Sequence, residues 1–257
     1  MKMSGNAILV TGGGSGIGQG LAEAFCARGN RVLIAGRNRE RLEAVAAKNP
    51  GMQILTVDVA DEASIAQLVE QATQKLPDLN VLVNNAGMMQ TENLRDPASV
   101  AKAEAIVTTN LLGPIRLTLA LLPQLAAQPD AAVLNVTSGL AFLPLTTTPT
   151  YCATKAALHS WTQSLRWQVR NTSVKVHEIA PPYVRTGLTG ERQANDPRAM
   201  PLEDYLAETL DLLERNPDAP EILVERVLPL REAELRGGYD EFFIQFNTMM
   251  EAGRDGE

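Results

Sequence analysis

Short apolar runs and longer stretches of helical spacing alternate along the chain, with turn residues between them. The runs Asn6–Val10, Arg31–Ala35, Met52–Val57, Leu79–Val83, Ala131–Thr137 and Val174–Ile179 read as strands. After the first, Leu21, Ala22, Phe25 and Cys26 keep the helical period and stop at Gly29-Asn30. Further helices are predicted over Arg39–Lys48, ended by Asn49-Pro50-Gly51, and over Glu62–Leu76, with Asp61 as N-cap. A long helical region runs from Asp96-Pro97 to about Ala127, interrupted at Gly113-Pro114 and Pro123, and another from Tyr151 to about Arg170. Beyond these, Leu202–Glu214 and Arg231–Met250 have helical patterns, and Glu221–Val227 suits an edge strand. The alternation predicts an α/β fold in one domain over residues 1–257. Its core is a doubly wound, Rossmann-type parallel sheet of about seven strands with helices on both faces. The polar segment 187–202, with Asn195-Asp196-Pro197, reads as a mobile substrate lid.

The first strand runs straight into Thr11-Gly12-Gly13-Gly14-Ser15-Gly16-Ile17-Gly18 and then a helix. Glycines in that context let the backbone approach a pyrophosphate while the N–H groups of the helix start point at it. Past the second strand, the place where a carboxylate would bind the ribose of NAD holds Gly36, with Arg37 and Asn38 beside it. A guanidinium there suits the 2′-phosphate of NADP(H), which it meets with two parallel hydrogen bonds. Asp58-Val59 closes the third strand, where a carboxylate can meet an adenine amino group. At the fourth, Asn84-Asn85-Ala86-Gly87 can hold the sheet edge and glycine turn in register, and Gly87 lets a ribose approach.

The chemistry concentrates in Tyr151-Cys152-Ala153-Thr154-Lys155. Helical spacing of four places Tyr151 and Lys155 on one face. A phenol of pKa near ~10 becomes a useful acid or base when a nearby ammonium pulls that value down. Ser138, at the end of the strand Ala131–Thr137, can face this helix and hydrogen-bond a substrate oxygen. Asn110 is either a satisfied core amide or a holder of water for a proton relay.

Composition narrows the classes. A net charge of -7 with scattered basic residues argues against a nucleic-acid surface. No signal-peptide core and no membrane-length run is expected, so we expect a cytoplasmic protein without a membrane partner. Cys26 and Cys152 read as reduced thiols in helices. His159 and His177 read as isolated from any ligand cluster, so no metal is expected.

These pieces, with Pro181-Pro182-Tyr183-Val184-Arg185-Thr186, span residues 7 to 186 and together resemble a short-chain dehydrogenase/reductase. The resemblance implies Tyr151 as acid/base, Ser138 orienting the carbonyl and Lys155 binding the nicotinamide ribose. It also implies Asn110 holding a water, Pro181 beside the cofactor, Val184 and Thr186 at the carboxamide, and a homodimer or homotetramer. Pro182 stands where the family usually has glycine, and Ser15 where many NADP-using members carry a basic residue. The tail from Leu202 resembles a subgroup named after the D-alanyl lipoteichoic acid operon, a name that gives no substrate. The function expected is NADPH-dependent, reversible reduction of an apolar ketone or aldehyde, a small-molecule carbonyl/alcohol pair. Met88, Met89, Leu140, Phe142, Leu143, Leu145 and Tyr183 are expected around the reacting carbon, with Gln90 the nearby polar group and no cation in the set; strand alternation turns Arg185 away, whereas a loop there could turn it inward to bind an anion. The rivals are a non-catalytic NADP-binding redox sensor, which need not keep a proton relay, and an epimerase or dehydratase. The latter usually needs a larger C-terminal domain than about 70 residues allow.

Overall fold

The apolar runs pair into one all-parallel sheet. In the computed structural model, which describes residues 1–252, its strands are β1 (Ala7–Thr11), β2 (Arg31–Gly36), β3 (Gln53–Thr56), β4 (Val81–Asn84), β5 (Ala131–Val136), β6 (Val174–Ile179) and β7 (Glu221–Ile222). They lie in the order β3-β2-β1-β4-β5-β6-β7. Alternation along β1 shows how the layers form. Ile8 and Val10 pack with Leu21 and Phe25 of α1 (Gly16–Ala27) and Tyr205 and Leu213 of α8 (Leu202–Arg215). Ala7 and Leu9 join the opposite cluster, with Leu68 of α3 (Glu62–Lys75), Leu117 of α5 (Gly113–Ala126) and Leu165 of α6 (Pro149–Gln168). Helix α2 (Arg39–Ala46) connects β2 to β3. Because every strand is parallel, all their carboxyl ends meet at one edge, where open α/β sheets bind ligands.

The region predicted from Asp96 to about Ala127 is α4 (Ser99–Val107), one π-helical turn over Thr108–Leu112, and α5. It is continuous over Ser99–Ala126, so by length and composition it reaches membrane-spanning size, against the expectation of no such run. Its buried residues include Ile106, Leu117, Leu121 and Leu125, and Arg116 pairs with Glu62 of α3. This is how a sheet-covering helix is built. Pro114 falls in the first turn of α5, where its missing N–H costs little.

Two expectations near the end of the chain are corrected. The edge strand is only Glu221–Ile222, because β6 gives way to Ala180-Pro181-Pro182 and offers no further ladder; Glu225–Val227 is a 3-10 turn. The helix expected over Arg231–Met250 is split into α9 (Leu228–Arg231) and α10 (Tyr239–Ala252). Gly237 and Gly238, both at positive φ, break it. The expected lid contains the short helix α7 (Glu191–Asn195), and Val184 bridges to Met200.

In β6, His177 is buried: its Nδ1 bonds the Ala219 carbonyl at 2.8 Å, and its Nε2 has no partner among the described residues. Burial pushes its pKa down to about 4. The folded value lies below the unfolded one of about 6.5, so its contribution is present above that pH and is lost as pH falls toward 4. We expect His177→Gln to lose less stability than the parent between pH 7 and 4.5, by about 1–3 kcal/mol, in urea titrations at both pH values. Equal losses would assign acid unfolding to other groups.

Candidate active site

The glycine turn is packed too tightly for side chains. A Cβ on Gly12, at φ 68, would lie 2.7 Å from Asn85 Nδ2, and one on Gly18 would lie 2.3 Å from the same atom. Thr11 locks turn to sheet: its hydroxyl donates to the Val83 carbonyl and accepts from the N–H groups of Asn85 and Ala86 at 3.0 and 3.1 Å. Ser15 makes no side-chain cap to α1, and no acid stands in the first turn, so the helix start offers N–H groups and positive dipole to an anion. A turn drawn this close to Asn85, with free N–H groups at the helix start above it, fits a dinucleotide pyrophosphate. Gly12, Ser15, Gly16, Ile17, Ala86, Gly87, Pro181, Val184 and Thr186 line the cavity above it.

Thr11, Gly18 and Asn84 do not line it. Asn84 is buried behind the wall, where its Nδ2 donates to Thr118 Oγ1 and Asn135 Oδ1, each at 2.8 Å. It is Asn85, passed over as a site residue, that faces the cavity and donates to the Thr11 carbonyl at 3.0 Å.

A second cavity, continuing past Gly12 and Ser15, is lined by Gly36, Arg37, Asn38, Arg41, Asp58 and Val59. Asn38 spends its side-chain oxygen capping α2, accepting from Arg41 N at 2.9 Å, and Asp58 accepts from Ala60 N at 3.0 Å. Arg41 was missed. It stands four residues after Arg37, one helical turn on, and that spacing was the available signal. Arg39, between them, is turned away to Glu43.

Helix α6 carries Tyr151 and Lys155, both buried. Lys155 Nζ donates to the Val136 carbonyl at 2.8 Å and lies 5.6 Å from the Tyr151 ring centroid. The expected drop in the phenol's pKa is not what this geometry gives. Burial pushes Tyr151 up to about 12, against which the contact with the Ser138 hydroxyl works only in part. Burial also pulls Lys155 down to about 8, while the Glu178 carboxylate opposes it. Asn110, in the π turn, accepts from Met88 N and donates to the Met88 carbonyl, both at 2.8 Å, so its amide is satisfied by the loop after β4. Glu92 was also missed: its carboxylate accepts from Thr150 N at 2.9 Å and Thr150 Oγ1 at 2.7 Å, seating the start of α6.

Above Ser138 and Tyr151 opens a cavity of about 630 Å³. Met89, Gln90, Leu140, Leu145 and Tyr183 line it, as expected from their strand ends. Three expected members do not. Leu143 is core, Met88 packs into the buried cluster with Ile106, and Phe142 lies edge-on to His159 and under the Arg231 guanidinium. Arg185 is exposed and outside the lining, but Lys102, Arg192 and Arg198 reach it from α4 and the 187–202 segment. The expectation of a cation-free wall is therefore corrected. Arg198 is paired with Asp196 at 2.7 Å, and that pairing holds the acid well below the usual carboxylate range. Phe246 and Met250 of α10 form the far wall; Asn247 fastens this helix by accepting from Thr146 N at 2.8 Å and donating to the Pro144 carbonyl at 3.1 Å.

The histidines are not both isolated. His159 bonds Glu178 at 2.7 Å, and Glu221 stands beside them with ligand atoms within 4.8 Å, although Glu221 already holds Arg231.

A doubly wound sheet with this turn at its first helix, and a hydroxyl, phenol and ammonium gathered at its carboxyl edge, is the architecture of a Rossmann-type oxidoreductase. The model of the short chain dehydrogenase family matches residues 6–197, and the chain belongs to that family. It is 42% identical over 252 residues to "Uncharacterized oxidoreductase DltE" of Bacillus subtilis (strain 168), covering 96% of this chain and 99% of that one. Among solved structures it resembles a short-chain dehydrogenase from Sphingobium yanoikuyae in complex with NADPH, at 26% identity and TM-score 0.79, over 92% of this chain and 94% of that one. A Burkholderia phymatum short chain dehydrogenase/reductase in complex with NAD has the same fold at 21% identity and TM-score 0.79, over 95% and 96% of the two chains.

Proposed function

We propose that the protein reversibly reduces the carbonyl of an apolar-bodied ketone or aldehyde, with NADPH as its preferred dinucleotide. One observation carries this reading: Ser138 and Tyr151 line both the cavity above the glycine turn and the larger cavity beyond it. A group held between the two is within reach of both side chains. When bound, the nicotinamide supplies or accepts the hydride. Ser138 donates a hydrogen bond to the substrate oxygen, and Tyr151 gives that oxygen its proton. Lys155 keeps positive charge one helical turn from the phenolate as it forms. A phenol raised to about 12 is protonated at neutral pH, which is the state a reductase needs. A redox sensor would need no such pair at a shared wall.

Tyr151→Phe removes the proton donor and leaves the dinucleotide cavity intact. We expect kcat for aryl and alkyl ketones to fall by about 10²–10⁴-fold, with NADPH binding unchanged in fluorescence titration. Turnover near the parent's would sink the assignment of Tyr151.

The preference for NADPH rests on Arg37 and Arg41, two guanidinium groups on one cavity with no acid at Gly36, and on the likeness to a relative bound to NADPH. The NADPH/NADH ratio of kcat/KM should exceed ten in the parent and narrow or reverse in Arg37→Asp, with Arg41→Ala acting in the same direction. Equal use of both cofactors by the parent would overturn this reading.

We also propose a homodimer or homotetramer built on the α5–α6 face. Leu119, Leu122, Pro123 and Trp161 line an apolar groove there, and Leu119 is 55% exposed. An exposed apolar groove of this kind suits two-fold pairing. Light scattering at micromolar concentration should give at least a dimer, and Leu119→Glu should lower the mass. A monomeric parent is the contrary result.

A further inference from the structure

We propose that Glu178 is a positioning residue for this reaction: its buried carboxylate fixes the strand end that carries Ser138 and supplies the countercharge of Lys155. The inference rests on the function proposed above.

Glu178 lies in β6 and is wholly buried. One oxygen accepts from Thr137 Oγ1 at 2.6 Å, and the other is bonded to His159 Nδ1 at 2.7 Å. Thr137 sits between two residues of the site. Val136, before it, offers the carbonyl that Lys155 Nζ holds at 2.8 Å, and Ser138, after it, carries the hydroxyl beside Tyr151. His159 follows Lys155 by four residues, so one face of α6 presents ammonium and imidazole to β5 and β6. A single carboxylate thereby ties the end of β5 to the helix that bears the phenol.

The charges around it are few. Facing Glu178 are His159, Lys155 and Arg166 from α6, Glu221 from β7 and Arg231 from α9. Glu221 and Arg231 satisfy each other through two bonds of 2.8 and 3.1 Å. Around Lys155, Tyr151, Gly87 and Asn110 are uncharged at neutral pH, and Cys152 beside Tyr151 is a buried thiol whose pKa burial raises. Glu178 is thus the acid that opposes the effect of burial on Lys155.

Glu178→Gln keeps the shape and removes the charge; its amide oxygen accepts from His159, and the Thr137 hydroxyl turns to the Ile179 carbonyl and accepts from the amide nitrogen. Without its countercharge the Tyr151–Lys155 pair releases a proton at lower pH, because the positive form of Lys155 loses support. We expect kcat for carbonyl reduction to fall about tenfold or more. The alkaline limb of its pH profile should move down by about one unit, with the melting temperature within a few degrees of the parent and partial recovery in Glu178→Asp. An unmoved limb, with or without loss of kcat, overturns the proposal. If Glu178→Gln does not accumulate as folded protein, Thr137→Val decides: it removes the tie and keeps the charge, so kcat should fall with the limb in place, and parental kcat would overturn the proposal. Tyr151→Phe separates the two readings, since an active Tyr151→Phe removes the function itself, whereas an inactive one beside an unaltered Glu178→Gln removes only this role.

Discussion

Everything at the carboxyl edge of the sheet depends on how α6 is seated on β5 and β6. The seat is polar and buried. Asn84 donates to Asn135, Asn135 donates to Thr162 of α6 at 2.9 Å, and Lys155 donates to the Val136 carbonyl. Such groups are stable in a core only when bonded, and each one orphaned costs about 1–3 kcal/mol. An apolar seam would let α6 slide by a side chain's width; this one has a single register. Tyr151 stands one turn before Lys155, so the register of the seam is also the position of the phenol. Glu92 at Thr150 and the Leu145 N–H on the Cys152 sulfur, at 3.3 Å, fix the same helix from its other side.

The fold was legible because its rules are local. Period-two and period-3.6 patterns, a glycine turn after the first strand, and short connections leave few arrangements other than a doubly wound parallel sheet. Six strands were placed to within a residue or two. The failures lie where a distant partner decides. β7 is two residues long because pairing stops where β6 gives way to Pro181-Pro182, which the apolar sequence of β7 does not show. The C-terminal helix breaks at Gly237-Gly238, a dipeptide whose signal is local.

In the site, residues whose role follows from backbone geometry were readable. Gly12, Gly16, Ser138, Tyr151 and Lys155 gather as the order of elements requires. Side-chain direction was not. Asn84 and Asn85 are neighbours in a strand ending, and alternation sends one into the core and the other to the cavity. Lys102, Arg192 and Arg198 come to the larger cavity from segments far from Tyr151 in sequence, so no spacing announced them. Asn247 bonds Thr146 and Pro144 across separations of 101 and 103 residues, and only through that loop does α10 come to wall the cavity.

The competition over the phenol's proton shows why proximity alone does not fix chemistry. A lysine four residues on was expected to lower the tyrosine's pKa, yet both groups are buried, and burial acts on each with opposite sign. It raises the neutral acid Tyr151 to about 12 and lowers the cationic acid Lys155 to about 8. The pair is therefore held in its proton-rich state at neutral pH by two different means: the phenol by desolvation, the ammonium by the Val136 carbonyl and the acid in β6. In the proposed reduction, a carbonyl oxygen gaining negative charge beside Ser138 would meet a neutral donor whose proton becomes easier to release as that charge grows. Under the proposed function, the reverse direction would first take the phenol's proton off against burial, so alcohol oxidation is expected to gain as pH rises.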